Sequence, residues 1–354
     1  MKKINSISLS FIYAGCFLGA GFISGQELWQ FFGSFGLWGY VGFGISVSLF
    51  VIFGIIMLRL TQMTGYRELE KIMVPWENVG WLRRLASMIA SLFLFGVVII
   101  MAAGVGAMAQ QLFNIPAWLG SAIFSVVLTV VALLGVTGMV NVFSLLIPIL
   151  VAATFIFGIF AWCRFDPSLI LKIKPCHDNP LMPNWFISCL TYVAYNLIGG
   201  IGIMMPLGEH LGDNKRLVHF GIVLAGVELL LVAGSIITSV VCLPGSELAQ
   251  LPMVAVATEL NAVLGSVYGI LLVLGMFSNA LGSLVGLCAH MEQRFAFLKG
   301  KGKIYIPIMA LVSWAGSLFG FSDIVSVVFP LFGYASVIFL VTMTIHYIQR
   351  IKGK

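Results

Sequence analysis

The residues able to do chemistry are few, and the two that stand out are acids set in apolar sequence. Glu27 closes the run Gly15-Cys16-Phe17-Leu18-Gly19-Ala20-Gly21-Phe22-Ile23-Ser24-Gly25-Gln26-Glu27, and Glu228 stands in Gly226-Val227-Glu228-Leu229-Leu230-Leu231. A carboxylate at membrane depth is costly. Where one is kept, it faces the bundle interior or water and often serves a proton relay. Both acids are therefore proton-coupling candidates, and for each a neutral acid hydrogen-bonded across helices is an equal reading. Glu209, Glu292 and Asp323 lie nearer the ends of apolar segments and can reach loops. The run before Glu27 holds four glycines in eleven residues. Glycine costs about 1 kcal/mol against alanine inside a helix. Backbone freed from a helix survives in hydrocarbon only beside protein or a watery cavity. The run reads either as a packing face of small residues or as an unwound segment that holds a solute and an ion.

The elements that must position these residues are membrane helices. Of 354 residues 60% are hydrophobic and 9% charged, against about 25% charged in soluble chains. A barrel would show short alternating segments instead. Only Lys2 and Lys3 precede the first apolar segment, and no small-residue cleavage site follows it, so that segment is expected to be a retained helix. The net charge of +6 is spread over separate short loops and is no nucleic-acid signature. Cys16, Cys189, Cys242 and Cys288 fall in apolar spans and read as buried thiols, while Cys163 and Cys176 flank one loop and could pair if it is extracellular. No clustering of Cys and His suggests a metal site.

Windows of about twenty apolar residues give ten spans, near 7–35, 38–60, 83–112, 117–136, 139–163, 185–211, 216–243, 264–292, 304–321 and 324–348. With both termini inside, sixteen of nineteen basic residues face the cytoplasm: Lys2, Lys3, Arg59, Arg67, Lys71, Arg83, Arg84, Lys215, Arg216, Arg294, Lys299, Lys301, Lys303, Arg350, Lys352 and Lys354. Arg164, Lys172 and Lys174 alone face out, a strong positive-inside bias. The expected topology is a multi-pass protein of the plasma membrane with both termini cytoplasmic. Residues 61–82, inside, read as a short surface helix and a turn. Residues 164–184 form an extracellular loop. Residues 244–262, also outside, read either as a re-entrant or capping helix or as an ordinary surface loop.

The sixth span repeats the irregularity of the first. It runs Tyr192-Val193-Ala194-Tyr195-Asn196-Leu197-Ile198-Gly199-Gly200-Ile201-Gly202 and on to Pro206, and its glycines and proline disfavour a continuous helix. Spans one and six each open a five-helix half, about 7–163 and 185–349, and odd helix counts place the halves in opposite orientations. Paired interruptions in two inverted halves point to a transporter's central site. The chain is expected to be one transmembrane domain over 1–354.

The motif Gly19-Ala20-Gly21-Phe22-Ile23-Ser24-Gly25-Gln26-Glu27, followed by Trp29-Gln30-Phe31-Phe32, resembles the YkvI-like family of amino-acid permeases, within the amino acid–polyamine–cation superfamily. The likeness covers the whole chain in span count and break positions, and its specific part is the first span. It implies an all-α polytopic fold with the five-plus-five inverted repeat of the LeuT type and with helices 1 and 6 interrupted. The first span is also similar to that of sodium-coupled neurotransmitter-type transporters, with Ala14 to Gly21 where they carry A-G-N-A-V-G-L-G.

The resemblance implies a Na+ site formed by the carbonyls of Gly15 and Leu18 with the side chains of Ser278 and Asn279. Neutral oxygens suit a hard cation, and Ser and Asn also bond between membrane helices without any ion. It further implies a substrate site over Gly19, Ala20, Gly21, Phe22, Tyr195, Asn196, Ile198 and Gly200. There the amides of Ala20 and Gly21 would meet a substrate carboxylate at the positive end of a half-helix. Tyr195 is equally readable as core packing. Glu228 lies near a glutamate linked to proton antiport in some bacterial relatives. Phe22 and Gly25 replace an ion-ligating asparagine and a gating arginine, so a second sodium and the relatives' outer gate, in which Asp323 would share, do not carry over.

The resulting expectation is a secondary active transporter, symporter-type, of an amino acid or similar small zwitterion, coupled to Na+ or H+ by alternating access. No cofactor beyond that Na+ is expected, and the partners are a small-molecule substrate and the lipid bilayer, with no nucleic acid. No paired His and acid motif, P-loop or nucleophile elbow supports an enzyme, and no continuous polar stripe over several spans supports a channel. The alternative is a germinant-type amino-acid receptor of the same fold that does not transport.

Overall fold

The computed structural model describes residues 5–66, 69–76, 79–134, 140–166, 168–211, 214–294, 298 and 300–352. Of the basic positions assigned above to the cytoplasm, Lys2, Lys3, Arg67, Lys299 and Lys354 lie outside these residues, as does the beginning of the fifth expected span. Among the described residues there is no strand.

The first expected span is interrupted twice. Helix α1 (Ser6–Phe17) is capped by Asn5, whose Oδ1 accepts from the Ser8 N–H at 2.7 Å. It ends because Gly19 N–H turns back to Phe17 O at 2.7 Å. The chain resumes as α2 (Ala20–Ile23), turns at Ser24 and Gly25, and resumes again as α3 (Gln26–Phe31). Gly25 has φ +84°, a left-handed conformation that suits glycine. Then follow α4 (Leu37–Thr64), α5 (Leu69–Met73), α6 (Gly80–Phe113), α7 (Ala117–Leu134), α8 (Val140–Arg164) and α9 (Leu169–Lys172). The second half holds α10 (Trp185–His210), α11 (Lys215–Cys242), α12 (Pro252–Leu260), α13 (Ala262–Arg294), α14 (Gly302–Ser317) and α15 (Phe321–Lys352). Each of the ten expected spans coincides with a helix or, for the first, with three. By length and composition, helices over Leu37–Thr64, Gly80–Phe113, Lys215–Cys242, Ala262–Glu292 and Phe321–Lys352 can cross a membrane.

The expected break in the sixth span is not seen: α10 is helical throughout Trp185–His210. Gly199 and Gly200 serve close packing instead. A Cβ on Gly199 would lie 2.7 Å from the Phe93 ring, and one on Gly200 3.2 Å from that of Phe17. A membrane helix that packs on all sides keeps its hydrogen bonds because they have no better partner, and it tolerates a lost donor at a proline.

Helix α10 packs on α4 and α15, α13 on α6, and α1 on α11, so the interrupted span lies at the centre of the bundle. Lipid-type surface lies outside, with Phe11, Ile52, Val126, Phe160 and Leu311 more than half exposed. At one end α5 packs with Ile72 and Met73 buried, as is Val74 just after it. There His346 Nδ1 meets Ile72 O at 3.0 Å, and Arg83 donates to Val74 O and Pro75 O at 2.7 and 2.6 Å. The opposite end carries exposed Trp38, Trp118 and Trp162, the amphipathic ring type favoured at membrane interfaces. There α12 is a capping helix and not a surface loop: Met253 N–H donates to Ser24 O at 2.9 Å, and Met253, Val254, Val256 and Ala257 are buried. Cys163 and Cys176 are both exposed free thiols.

Candidate functional site

The break after Phe17 leaves backbone groups without helical partners. In a continuous helix Gly15 O would accept from Gly19 N–H, but that donor is spent on Phe17 O. The negative end of the α1 dipole points the same way. A cation-binding corner is thus built into the backbone before any side chain is considered.

Around this corner lies a cavity of about 540 Å³, walled by the first span, α6, α10, α13 and α15. It brings together Gly15, Leu18, Ser278 and Asn279, all four residues expected at an ion site. It also brings together Gly19, Gly21, Glu27, Tyr195 and Asn196 from the expected substrate and proton-coupling residues. Two glycines of the motif explain how this closeness is reached. A Cβ on Gly19 would stand 3.2 Å from Asn279 Nδ2, and one on Gly21 2.7 Å from Glu27 Oε2. The small residues therefore make room for the two polar groups of the site.

Glu27 is buried, and its Oε1 accepts from the Tyr195 hydroxyl. Tyr192 and Asn196 stand beside the same carboxyl group, and Asn196 Nδ2 donates to Tyr192 O at 3.0 Å. The Tyr195 ring stacks on Phe329, with centroids 4.7 Å apart and planes 8° apart. Of this cluster, Glu27, Tyr195, Asn196 and Phe329 line the cavity.

Four expected residues are placed elsewhere. Phe22 and Ile198 are buried in the core, and Gly200 packs on Phe17. Glu228 stands between α11 and α1, with its Oε1 accepting from Ser10 Oγ at 2.8 Å. The side chain of Ala20 lies outside the described residues.

Phe93, Val97, Met101, Ser283, His290 and Phe329 also line the cavity, and sequence reasoning did not single them out. One signal was available. Gly275, Asn279, Gly282, Gly286 and His290 recur at three- or four-residue spacing, a single helix face of small and polar residues. From Gly275 to His290 this face spans about 22 Å of helix axis, so the cavity runs from the break toward the end where α13 meets α14. There Tyr305 donates to Glu292 at 2.7 Å.

The other end is closed by hydrogen bonds. Gln26 and Gln30 donate to Ser322 Oγ at 2.7 and 3.0 Å, Ser322 N–H donates to Gln250 Oε1 at 2.9 Å, and Asn179 donates to Ser326 O at 2.8 Å. Ser34 Oγ and His177 Nδ1 are bonded at 2.8 Å, and the His177 ring stacks on Phe35. The Tyr268 hydroxyl donates to Ile23 O at 2.8 Å. The cavity thus extends along α13 on one side of the break, while hydrogen bonds join the elements on the other.

No protein-family model matches the chain. It is 25% identical over 346 residues to the uncharacterized membrane protein YkvI of Bacillus subtilis (strain 168), covering 96% of this chain and 95% of that one. It is likewise 25% identical over 350 residues to the uncharacterized protein YyaD of the same organism, covering 94% of each. Among solved structures it is similar to MhsT in complex with L-phenylalanine, with TM-score 0.65, 15% identity, and 95% of this chain and 87% of that one covered. It is also similar to Mhp1, a nucleobase-cation-symport-1 family transporter in a closed conformation with bromovinylhydantoin bound, with TM-score 0.61, 15% identity, and 94% and 75% covered. A manganese transporter of Eremococcus coleocola is a third, with TM-score 0.53, 13% identity, and 88% and 69% covered. The chain has the all-helical polytopic fold of LeuT-type transporters.

Proposed function

We propose that this protein is a secondary active transporter of an amino acid or similar small zwitterion, working by alternating access as a symporter. One observation carries the reading: the central cavity sits at the break of the first helix, joins that break to α10 and α13, and extends along α13 away from the hydrogen bonds that join Gln26, Ser322 and Gln250. Pockets of several hundred cubic ångströms suit small organic ligands. The fold neighbours are transporters, and MhsT holds L-phenylalanine. The positive-inside bias supports a plasma-membrane topology with both termini cytoplasmic, in which the His290 end of the cavity lies toward the cytoplasm. The first-span motif supports placement in the amino acid–polyamine–cation superfamily.

Two couplings have residues to serve them. The corner formed by Gly15, Leu18, Ser278 and Asn279 holds neutral oxygens and no charged group, the donor chemistry of a hard monovalent cation such as Na+. Such an ion would hold the first span against α13. For proton coupling, Glu27 has the better position of the two acids, because it lines the cavity while Glu228 is bonded to Ser10 outside it. A thermal-shift comparison of purified protein in sodium and in potassium separates the two. We predict a sodium-dependent rise in melting temperature that Ser278→Ala combined with Asn279→Ala abolishes. A rise that survives in the double variant contradicts the ion site.

A further inference from the structure

We infer that the site recognises its substrate by an ammonium group and that a carboxylate on the substrate is dispensable, an inference that rests on the transport reading above for its setting. The amides at the start of α2 look suited to a substrate carboxylate, but the structure brings an acid of its own beside them. Glu27 folds back over the break until its Oε2 lies where a Gly21 side chain would begin, 2.7 Å from the position of that Cβ. A second anion there would face a like charge in a buried site, which is unfavourable to both. The Tyr195 hydroxyl already donates to Glu27 Oε1, so the acid is held in position.

Beside the acid stand aromatic rings, Tyr195 bonded to it through its hydroxyl. Tyr195 and Phe329 are stacked at 4.7 Å, and the Phe93 ring lies 6.1 Å from Tyr195 and 6.5 Å from Phe329. No Lys or Arg lines the cavity among the described residues, and His290, which does, stands eleven residues along α13 from Asn279. Phe17, Val97 and Met101 leave the remaining wall on this side apolar. An acid beside aromatic rings, with further apolar residues in the same lining, selects a primary amine that carries an aromatic or branched aliphatic body. Amino acids enter this class through their amino group, and amines without a carboxylate enter it equally.

The test uses the full chain, purified in detergent, with two matched series. One is phenethylamine, L-phenylalanine and 3-phenylpropionate; the other is 3-methylbutylamine, L-leucine and 4-methylpentanoate. The amine and the amino acid of a series should raise the melting temperature with apparent Kd values within about threefold of each other, and the carboxylate should leave it unmoved. Glu27→Gln should weaken amine binding by about tenfold or more. Stabilisation by the carboxylates without the amines, full amine affinity in Glu27→Gln, or no response to either amine up to its solubility limit overturns the proposal. Should Glu27→Gln fail to fold, Gly21→Ala takes its place, because the added methyl displaces the same carboxylate oxygen. Unchanged amine affinity in that variant is equally fatal. Counterflow in liposomes keeps the two readings apart. Amines that bind and are not exchanged defeat transport and leave ammonium recognition standing, whereas amino-acid counterflow untouched by Glu27→Gln defeats ammonium recognition and leaves transport.

Discussion

Gly21 and Gly25 lie four residues apart in one motif, yet a methyl group meets different obstacles at each. At Gly21 it meets the far end of the Glu27 side chain, at 2.7 Å. A carboxylate tip can swing away, so Gly21→Ala should cost the fold about 1 kcal/mol or less while disabling ligand recognition. At Gly25 the backbone is left-handed, with φ +84°, and a methyl group would stand 3.0 Å from Met253 Cγ and 3.3 Å from Ile236 Cγ2. A non-glycine residue in that conformation costs about 1–2 kcal/mol before any clash is counted, and α12 is anchored to the adjacent Ser24 O. Gly25→Ala should therefore lower the melting temperature markedly. Melting curves with and without ligand check both expectations. Equal loss of stability in the two variants contradicts the division between a ligand-side and a fold-side glycine.

Among the elements, the closed end of the bundle is where solution conditions should act. His177, in the loop before α10, is half-buried against Phe35 and bonded to Ser34. Burial pushes its pKa below the ordinary 6.5, only partly offset by hydrogen bonds to the backbone of Met182 and Asn179 and by the charge of Asp178. With the folded value depressed, the unfolded chain takes up the proton more readily. Stability should be unaffected by this group well above pH 6.5 and should fall as the pH drops through 6.5 and below. Melting temperatures from pH 7.5 to 5.5 should show that decline, and His177→Gln should flatten it. An identical decline in the variant removes His177 from the closure.

What the sequence announced and what it hid also separates by element. The first span declared itself, because four glycines beside Ser24, Gln26 and Glu27 have no simple place in an apolar helix. The ten spans followed from hydropathy, since a membrane helix must be long and apolar. The sixth span misled, because glycine marks both a break and a close approach, and only the Phe93 and Phe17 rings in the structure decide between them. Phe93 and Phe329 could not be found: in a chain with 28 phenylalanines, nothing local distinguishes a cavity ring from a core ring. The small polar face of α13 was legible in principle, but its step of three and four residues is that of any helix-packing stripe, and only the cavity gives it a role.

For the whole molecule, the central cavity, its path along α13 and the sealed opposite end make a single claim, that a small solute crosses the membrane through this site. Uptake into proteoliposomes under imposed gradients tests it most directly. Vesicles holding purified protein, with a sodium or proton gradient directed inward and a radiolabelled amino acid outside, should accumulate the label above its equilibrium level. Collapsing the gradient should release it, and Glu27→Gln or the Ser278→Ala, Asn279→Ala pair should abolish the accumulation that their respective gradient drives. Saturable binding of the same amino acid with neither accumulation nor counterflow under either gradient would contradict transport and identify the cavity as the binding site of a receptor.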